Sequence, residues 1–600
     1  MADIFIGNTK IKKLKKLYKI SINLIQEFGF RYFLHVFFEE LIKQKTKLFL
    51  PDESPKIDFT QFTSNYKKFM EKHKLETSDL ELVNKISKLY DKPKISLFLI
   101  HRDNVSVMDL ENSISSIVNQ VYENFDLQVI NLSSSNLDSF KHQFSSNKVN
   151  FIEGMTFLSL KKLLSYSESE IIGFLDNSVV LQNNLPYYFI EKFYQNPESD
   201  VFYFDEDYLD TNGNRINPFF KPDWSPYLFC SMNYLGNFCL FKKSILDKIT
   251  GYDIDSKNNF LYDILLRCSE ISDKFLHISL PLFSVKNTVN PQSLEYEKNC
   301  ISSHLKRINI IANVEDGYLP QTYRVHYELE SEPKVSIIIP TKDKKELLQR
   351  CINSIKNNTS YKNLEIIIID NNSEDLKTIE YLRSLPYQIL QYSEPFNFSK
   401  MNNLAVTKSS GKYLLFLNDD TAALESNWLT EMISICQQND IGVVGAKLVH
   451  SDDTIQHAGM VFLTTGAGFH PFQRFPQNSS GYYNFINVIR EFSAVTGACL
   501  LTKRNIFDKV GGFDDDFDLY YGDSDLCLKI RDAGFRIVYT PYAKLLHEGS
   551  ASIRKHGDAF FTVENHYQFI KKWSFLKNGD PFYSPYLDWN YSIRKNPFET

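Results

Sequence analysis

The chain repeats itself, and a fold that must be built twice constrains this sequence more than any other feature. Lys94-Ile95-Ser96 followed by LFLI returns 240 residues later as Lys334-Val335-Ser336 followed by IIIP. NQVYENFDLQVIN at 119–131 returns as NTSYKNLEIIIID at 358–370, with Tyr122 matched to Tyr361 and Asn124 to Asn363. Gly251-Tyr252-Asp253 is answered by Gly512-Phe513-Asp514, the wider offset reflecting insertions in the second copy. Two copies of one fold are the simplest account.

Each copy reads as strand, helix, strand, helix, strand. In the second, VSIII (335–339) ends at Pro340, and Leu347, Leu348, Cys351, Ile352 and Ile355 then fall on one helical face. EIIII (365–369) ends at Asp370, and YLLFL (413–417) ends at Asn418-Asp419-Asp420. Short apolar strands separated by helical segments imply a mostly parallel sheet covered on both faces. In such sheets ligands sit beyond the carboxyl ends of the strands, where these polar residues fall. The organisation expected is a leader over 1–50, a helical linker over 51–93, a first α/β domain over 94–300, a linker over 301–332, a second domain over 333–556 and an extension over 557–600.

A chain of 600 residues is long enough for two such cores. Its 67 Lys and Arg against 73 Asp and Glu leave a net charge of -6, which argues against nucleic acid as a partner. The eight cysteines form no C-x-x-C pair, so reduced thiols in a cytoplasm are expected. No apolar run reaches membrane-spanning length, and the opening residues lack a signal-peptide pattern. Residues 10–19, KIKKLKKLYK, instead set six lysines around Ile11, Leu14, Leu17 and Tyr18. That spacing predicts an amphipathic helix, continued by aromatics toward Pro51. It suits either an anionic membrane surface, bound through residues 10–45, or a helical hairpin packed on the next domain.

Adjacent carboxylates repel, so Asp419-Asp420 after a buried strand calls for a reason. A hard divalent cation supplies one, since it takes carboxylate oxygens and completes its shell with substrate phosphates. The plainer alternative is an Asp-rich turn capping a helix. The wider context shifts the balance: KVSIIIPTKDK, LEIIIIDNNSED, FNFSKMNN, GKYLLFLNDDT, VTGACLLTKRNIFDKVGGFDDDF and YYGDSDLCLKIRDAGFRIVYTPYAKLLHEGSAS occur in family order over 334–552. Together they resemble a family 2 glycosyltransferase domain of the GT-A fold. The likeness is greatest to bacterial enzymes of O-antigen, capsule and cell-wall polysaccharide assembly, including those labelled rhamnosyltransferases.

The resemblance implies two tandem Rossmann-like domains after an N-terminal helical extension. It implies transfer of a sugar from a nucleotide-diphosphate donor to a glycan or lipid-linked acceptor, with inversion and a divalent metal, Mn or Mg. By it, Pro340, Thr341, Lys342 and Asp370 surround the nucleoside, and Lys400 and Asn403 line the donor. Asp419 and Asp420 form the metal and diphosphate motif, with Asp420 the direct ligand and His547 approaching the same metal. Asp523 is the general base, although Gly522 stands where the family often has an acid. The helix macrodipole at DLCLKIRDAG would keep Asp523 ionised, and spacing alone leaves a mere N-cap as the alternative. Asp514, Asp515, Asp516 and Asp518 read as a solvated rim, and His457 and His470 as packing or surface residues. The enzyme so implied works in the cytoplasm, peripheral to the inner face of the membrane.

The first copy lacks the same groups. Asn131 answers Asp370, Asn177 and Ser178 answer Asp419 and Asp420, and Leu261 answers Asp523. Joint replacement of the nucleoside acid, the acidic pair and the base points to a copy without transferase chemistry. Its Asp205, Glu206 and Asp207 suit a cation or an acceptor, or simply a sheet-end loop. Two other functions fit the chain less well. A bifunctional polymer-building transferase is disfavoured by the missing acids of the first copy, and a non-catalytic glycan-binding scaffold by the acids retained in the second.

Overall fold

A computed structural model describes residues 59–73, 93–549, 563–588 and 591–593, apart from short stretches at 103–106, 134–135, 145–147, 154–157, 255–259 and 287–291. The leader, including the lysine-rich segment, and most of the linker before residue 93 lie outside the described residues. From that linker one helix is described, α1 (Phe59–Lys72).

The described chain divides into two compact units that meet at Val325 and His326. In the first, eight strands form the main path of a sheet: β1 (Ile95–His101), β2 (Phe125–Asn131), β3 (Val149–Ile152), β4 (Ile171–Asp176), β5 (Val179–Leu181), β6 (Val201–Leu209), β7 (Phe238–Lys242) and β8 (Phe275–Lys286). Their order is β3-β2-β1-β4-β7-β6-β8-β5. In the second unit the strands are β9 (Val335–Thr341), β10 (Leu364–Asp370), β11 (Gln388–Gln391), β12 (Tyr413–Leu417), β13 (Thr421–Ala423), β14 (Ile441–Val449), β15 (Cys499–Lys503) and β16 (Arg536–His547). Their order is β11-β10-β9-β12-β15-β14-β16-β13, the first order with every number raised by eight.

The senses agree as well. β7 and β15 each run antiparallel to both neighbours, and β5 and β13 return antiparallel along β8 and β16. The other neighbours in each path are parallel. Both units are thus mixed α/β with mostly parallel sheets.

Continuous apolar runs, not alternation, make these central strands, because both faces are covered. Every residue of β12 and of β14 is buried. Each fully buried large aliphatic side chain on these strands contributes about 1.5–3 kcal/mol to the second unit. Close packing also sets Gly445 on β14, where a Cβ would stand 2.6 Å from the side chain of Val495.

The expected linker over 301–332 and the expected extension over 557–600 both carry regular elements. Helix Gln292–Arg307 is tied to the first sheet's helix Leu261–Ser269 by Arg307 to Asp263 at 3.4 Å. Hairpin Ala312–Asp316 and Tyr323–Tyr327 follows, with the Tyr323 hydroxyl donating to Glu297 at 2.7 Å. Residues 563–593 likewise pack on the second unit, with Phe569, Ile570 and Leu576 in its core. Side-chain partners hundreds of atoms along the chain, not local polarity, decide such boundaries. All eight cysteines are buried and unpaired with one another. Among the described residues no helix is long and apolar enough to cross a membrane.

Candidate active site

The strand ends of the second unit assemble the polar residues. β9 and β10 run parallel in a register that sets Thr341 beside Asp370. The Asn371 amide donates to the Thr341 carbonyl at 3.0 Å, and Asp370 Oδ1 accepts the Ser373 amide at 3.0 Å. Asp343 holds the same loop: at φ 50°, it accepts from the amides of Glu374 and Asp375 at 2.6 and 2.8 Å. Pro340, Thr341 and Asp370 therefore form one ledge, with Lys342 exposed at its edge.

The β12–β13 turn carries the acidic pair next to this ledge. Thr341 Oγ1 donates to Asp419 Oδ2 at 2.8 Å. β13 pairs with the end of β16, matching Thr421 with His547. That pairing brings His547 Nε2 to 3.1 Å from Asp420 Oδ1. Both acids are buried. Burial pushes the Asp419 carboxyl up to about 6, with Asp420 adding to the rise and Lys344 opposing it. At Asp420 burial also works against the ion, but His547 and Lys344 outweigh it and hold the carboxyl below its ordinary range. One acid of the pair is therefore held in its ionised form, and the other has its pKa raised to about 6.

Asp523 stands close by through the main chain. The Asn418 amide donates to the Ala498 carbonyl at 3.0 Å, and the adjacent Gly497 amide donates to Asp523 Oδ2 at 2.8 Å. Its helix, α7 (Gly522–Asp532), is capped by Tyr521, so Asp523 lies inside the first turn and is not the N-cap. Its other oxygen accepts the Ser524 amide at 2.7 Å. Burial raises its pKa against the pull of these amides, so the expected lowering by the macrodipole is overridden. At Gly522 a Cβ would meet Ser399 Oγ at 2.9 Å, so any side chain there requires the serine hydroxyl to move.

Lys400 and Asn403 lie on helix α5 (Phe398–Lys408), capped by Asn397, whose side chain accepts the Lys400 amide. Lys400 is exposed. Asn403 grips the loop before α7, donating to the Phe513 carbonyl and Asp515 Oδ1, both at 2.9 Å, and accepting the Phe513 amide at 3.0 Å.

The His457 and His470 rings meet Nδ1 to Nδ1 at 2.7 Å. His457 Nε2 accepts the Gly459 amide, so the shared proton sits on His457 Nδ1. Burial keeps His470 neutral, its pKa pushed down to about 4. Pattern reading missed Lys344, one of three neighbouring lysines with nothing in the sequence to single it out. It also missed Arg350, which pairs with Glu548 at 2.6 Å beside the Asp420 carbonyl.

Asp205, Glu206 and Asp207 form neither a sheet-end loop nor an open cation site. They lie within β6, buried, and each has a cationic partner: His277 at 2.8 Å, Lys221 at 2.8 Å and Arg215 at 2.5 Å.

Residues 336–511 match the family model for glycosyl transferase family 2. This unit is a family 2 glycosyltransferase domain. The family 2 domain also brings relatives of greater reach. An uncharacterised protein of Sinorhizobium fredii, y4gI, is 33% identical over 71% of this chain and 49% of its own length. The O-antigen biosynthesis protein RfbC of Myxococcus xanthus is 31% identical over 84% of this chain and 41% of its own length. An N-acetylglucosaminyl-diphospho-decaprenol L-rhamnosyltransferase of Mycobacterium tuberculosis is 41% identical over 10% of this chain and 19% of its own length. This chain thus spans half or less of the length of these relatives.

Proposed function

We propose that this chain is a metal-dependent, inverting glycosyltransferase that moves a sugar from a nucleotide-diphosphate donor to a glycan or lipid-linked hydroxyl in surface polysaccharide synthesis. The observation that carries the reading is the adjacency of an acidic pair at a strand end to a half-buried carboxylate, Asp523, with Gly497 and Ala498 bridging them. The names of the relatives supply the class of product.

Asp419 and Asp420, with His547, would hold the divalent cation. The fit has support in the site itself: His547 Nδ1 is buried without a hydrogen-bond partner, and His547 Nε2 already stands 3.1 Å from Asp420 Oδ1. Among the described residues no three His, Cys, Asp or Glu side chains already converge on a metal position. Substrate phosphate oxygens and water would complete the shell, as such cations commonly require. When bound, the cation neutralises the departing diphosphate. Asp523 takes the proton from the acceptor hydroxyl as its oxygen bonds to the anomeric carbon and the bond to the diphosphate breaks. The raised pKa makes Asp523 a better proton acceptor than a solvated carboxylate. Pro340, Thr341, Lys342 and Asp370 would hold the nucleoside on their ledge, and Lys400 the donor's far side. Asn403 would act by holding the loop that leads to Asp523.

We assign donor chemistry to the second unit alone. We place the enzyme at the cytoplasmic face of the membrane, where residues 10–45 would meet anionic lipid. Deleting residues 1–45 is expected to lower sedimentation with anionic liposomes while turnover of a soluble acceptor persists. Equal sedimentation would favour the packed hairpin. The central test is a thermal-shift screen of nucleotide sugars with and without manganese, followed by assay for released nucleoside diphosphate. A bound donor stabilises by mass action. No stabilisation by any donor, and no diphosphate release, would overturn the reading.

A further inference from the structure

Asp523 sits between two residues that are both held from outside its own helix. Tyr521, two residues before it, has φ 69° and ψ -7°, a left-handed conformation that is strained for a non-glycine residue. A glycine would adopt it freely, so the tyrosine side chain must be used. Its hydroxyl lies 2.7 Å from His566 Nδ1, and its ring stacks on Phe569 at 4.4 Å and 25°. Both partners belong to helix α8 (Val563–Lys572).

The same helix holds Asp525, two residues after Asp523. Lys572 approaches its Oδ1 at 2.8 Å, and Trp573 Nε1 donates to that oxygen at 2.9 Å. Asn565 donates to Asp518 at 3.3 Å and Lys572 to Asp514 at 2.7 Å, so the approach to α7 is held as well. α8 itself has little freedom. Phe569 and Ile570 are buried, and Ile570 presses where a Cβ on Gly466 would stand, 2.2 Å from its Cγ2.

We propose that α8 positions the general base: the His566–Tyr521 hydrogen bond locks the left-handed turn into α7 and so sets the direction of the Asp523 carboxylate. This rests on the reading of Asp523 as the base. Small errors in the placement of a reacting group are costly in rate. His566 and Tyr521 are thus positioning residues that need not touch substrate.

The test uses the full-length protein with manganese and whichever of a panel of UDP-, GDP- and dTDP-hexoses turns over. Tyr521→Phe, which keeps the ring on Phe569, and His566→Ala should each lower kcat by about fivefold to tenfold, the worth of one hydrogen bond. Donor KM should stay within about twofold, because the ledge and acidic pair are untouched. His566→Asn, which can return a polar atom near the Nδ1 position, should restore most of the rate. Hydrogen exchange at residues 519–525 should quicken in His566→Ala and recover in His566→Asn.

An unchanged kcat in Tyr521→Phe would overturn the proposal, as would a melting-temperature loss without a kcat loss. Should His566→Ala fail to fold, Tyr521→Phe alone decides. Asp523→Asn run alongside separates the two ideas. If it stays active, the base reading fails. If it is inactive while Tyr521→Phe and His566→Ala turn over normally, only the positioning role fails.

Discussion

At the amino ends of their strands the two units are the same molecule written twice. Ser96 donates to Asp126 at 2.5 Å and Lys94 pairs with Asp126 at 2.7 Å; Ser336 donates to Glu365 at 2.6 Å and Lys334 pairs with Glu365 at 2.8 Å. Tyr122 and Tyr361 each donate to the carbonyl of the proline before the first strand, Pro93 or Pro333. Behind the sheets, buried Asp263 takes Arg267 four residues on and Arg307 from a later helix, just as Asp525 takes Lys529 and Lys572.

At the carboxyl ends the units part. Thr341 donates to Asp419, whereas His101 Nδ1 lies 3.0 Å from the amide of Asn177. His101 keeps the register of Thr341, facing Asn131 as Thr341 faces Asp370. Asp176 accepts the Ser178 amide at 2.8 Å, closing its turn on itself. Val285 is matched with Val179 where His547 is matched with Thr421. The contacts which build the sheet are therefore separable from those which carry charge at its top. An imidazole, an amide, a hydroxyl and a valine satisfy the first requirement without meeting the second.

The comparison breaks most sharply at the acidic pair. Asp420→Ala is expected to abolish donor turnover with the fold intact, and Ser178→Ala, its counterpart, to leave turnover unchanged. Full turnover by Asp420→Ala, or persisting in exhaustively chelated enzyme, would dismiss the metal. Next in size is Asp523→Asn, expected to slow transfer by roughly 10²- to 10⁴-fold with donor binding little changed. The same variant tests the first unit. A second, distinct sugar still transferred at a substantial rate would make that unit active and the chain bifunctional.

Smaller effects come from protonation, and they differ in sign between the units. Asp419, with a pKa near 6, must lose its proton to hold a cation, so manganese-dependent donor binding should weaken as pH falls through about 6. Titration of donor affinity against pH checks this, and a flat profile between pH 5 and 8 would refute it. In the first unit, buried His277 lies between Asp205 and Asp223. Burial lowers its pKa, but the two carboxylates outweigh it and raise the value to about 9. The folded pKa exceeds the unfolded one, so the stability from this group is complete below about pH 6.5 and lost as pH rises through about 9. The loss amounts to on the order of 3 kcal/mol. Denaturant unfolding between pH 6 and 10 should show it, and His277→Gln should flatten the curve.

Much of this was legible in the chain. The offset between Lys94-Ile95-Ser96 and Lys334-Val335-Ser336 is realised as one strand order in two sheets. Asp370, Asp419 and Asp420 fall at strand ends because the strands stop where the apolar runs stop. Other parts were not legible. Asp205, Glu206 and Asp207 look like a loop because three acids rarely enter a buried strand. They do so here because His277, Lys221 and Arg215 arrive from elsewhere. Asp523 looks like a helix cap until Tyr521 is seen to take that position with a positive φ, which side-chain patterning does not disclose. The segments near 301–332 and 557–600 read as a linker and an extension, yet Glu297, Arg307, Phe569 and Trp573 anchor them in folded units.

The order of residues alone disclosed the opening strands of each copy, that one fold is built twice, and which carboxylates stand at the strand ends of the second. Backbone pairing and the burial of apolar runs are written locally, residue by residue, and they repeat when the residues repeat. Which of those carboxylates keeps its charge, how the main chain at Gly497 and Ala498 ties Asp523 to the acidic turn, and what fixes its direction emerge only on folding. Those properties depend on desolvation and on partners such as Lys344, His547, Gly497 and His566. Their effect follows distance in space, and the fold alone sets that distance.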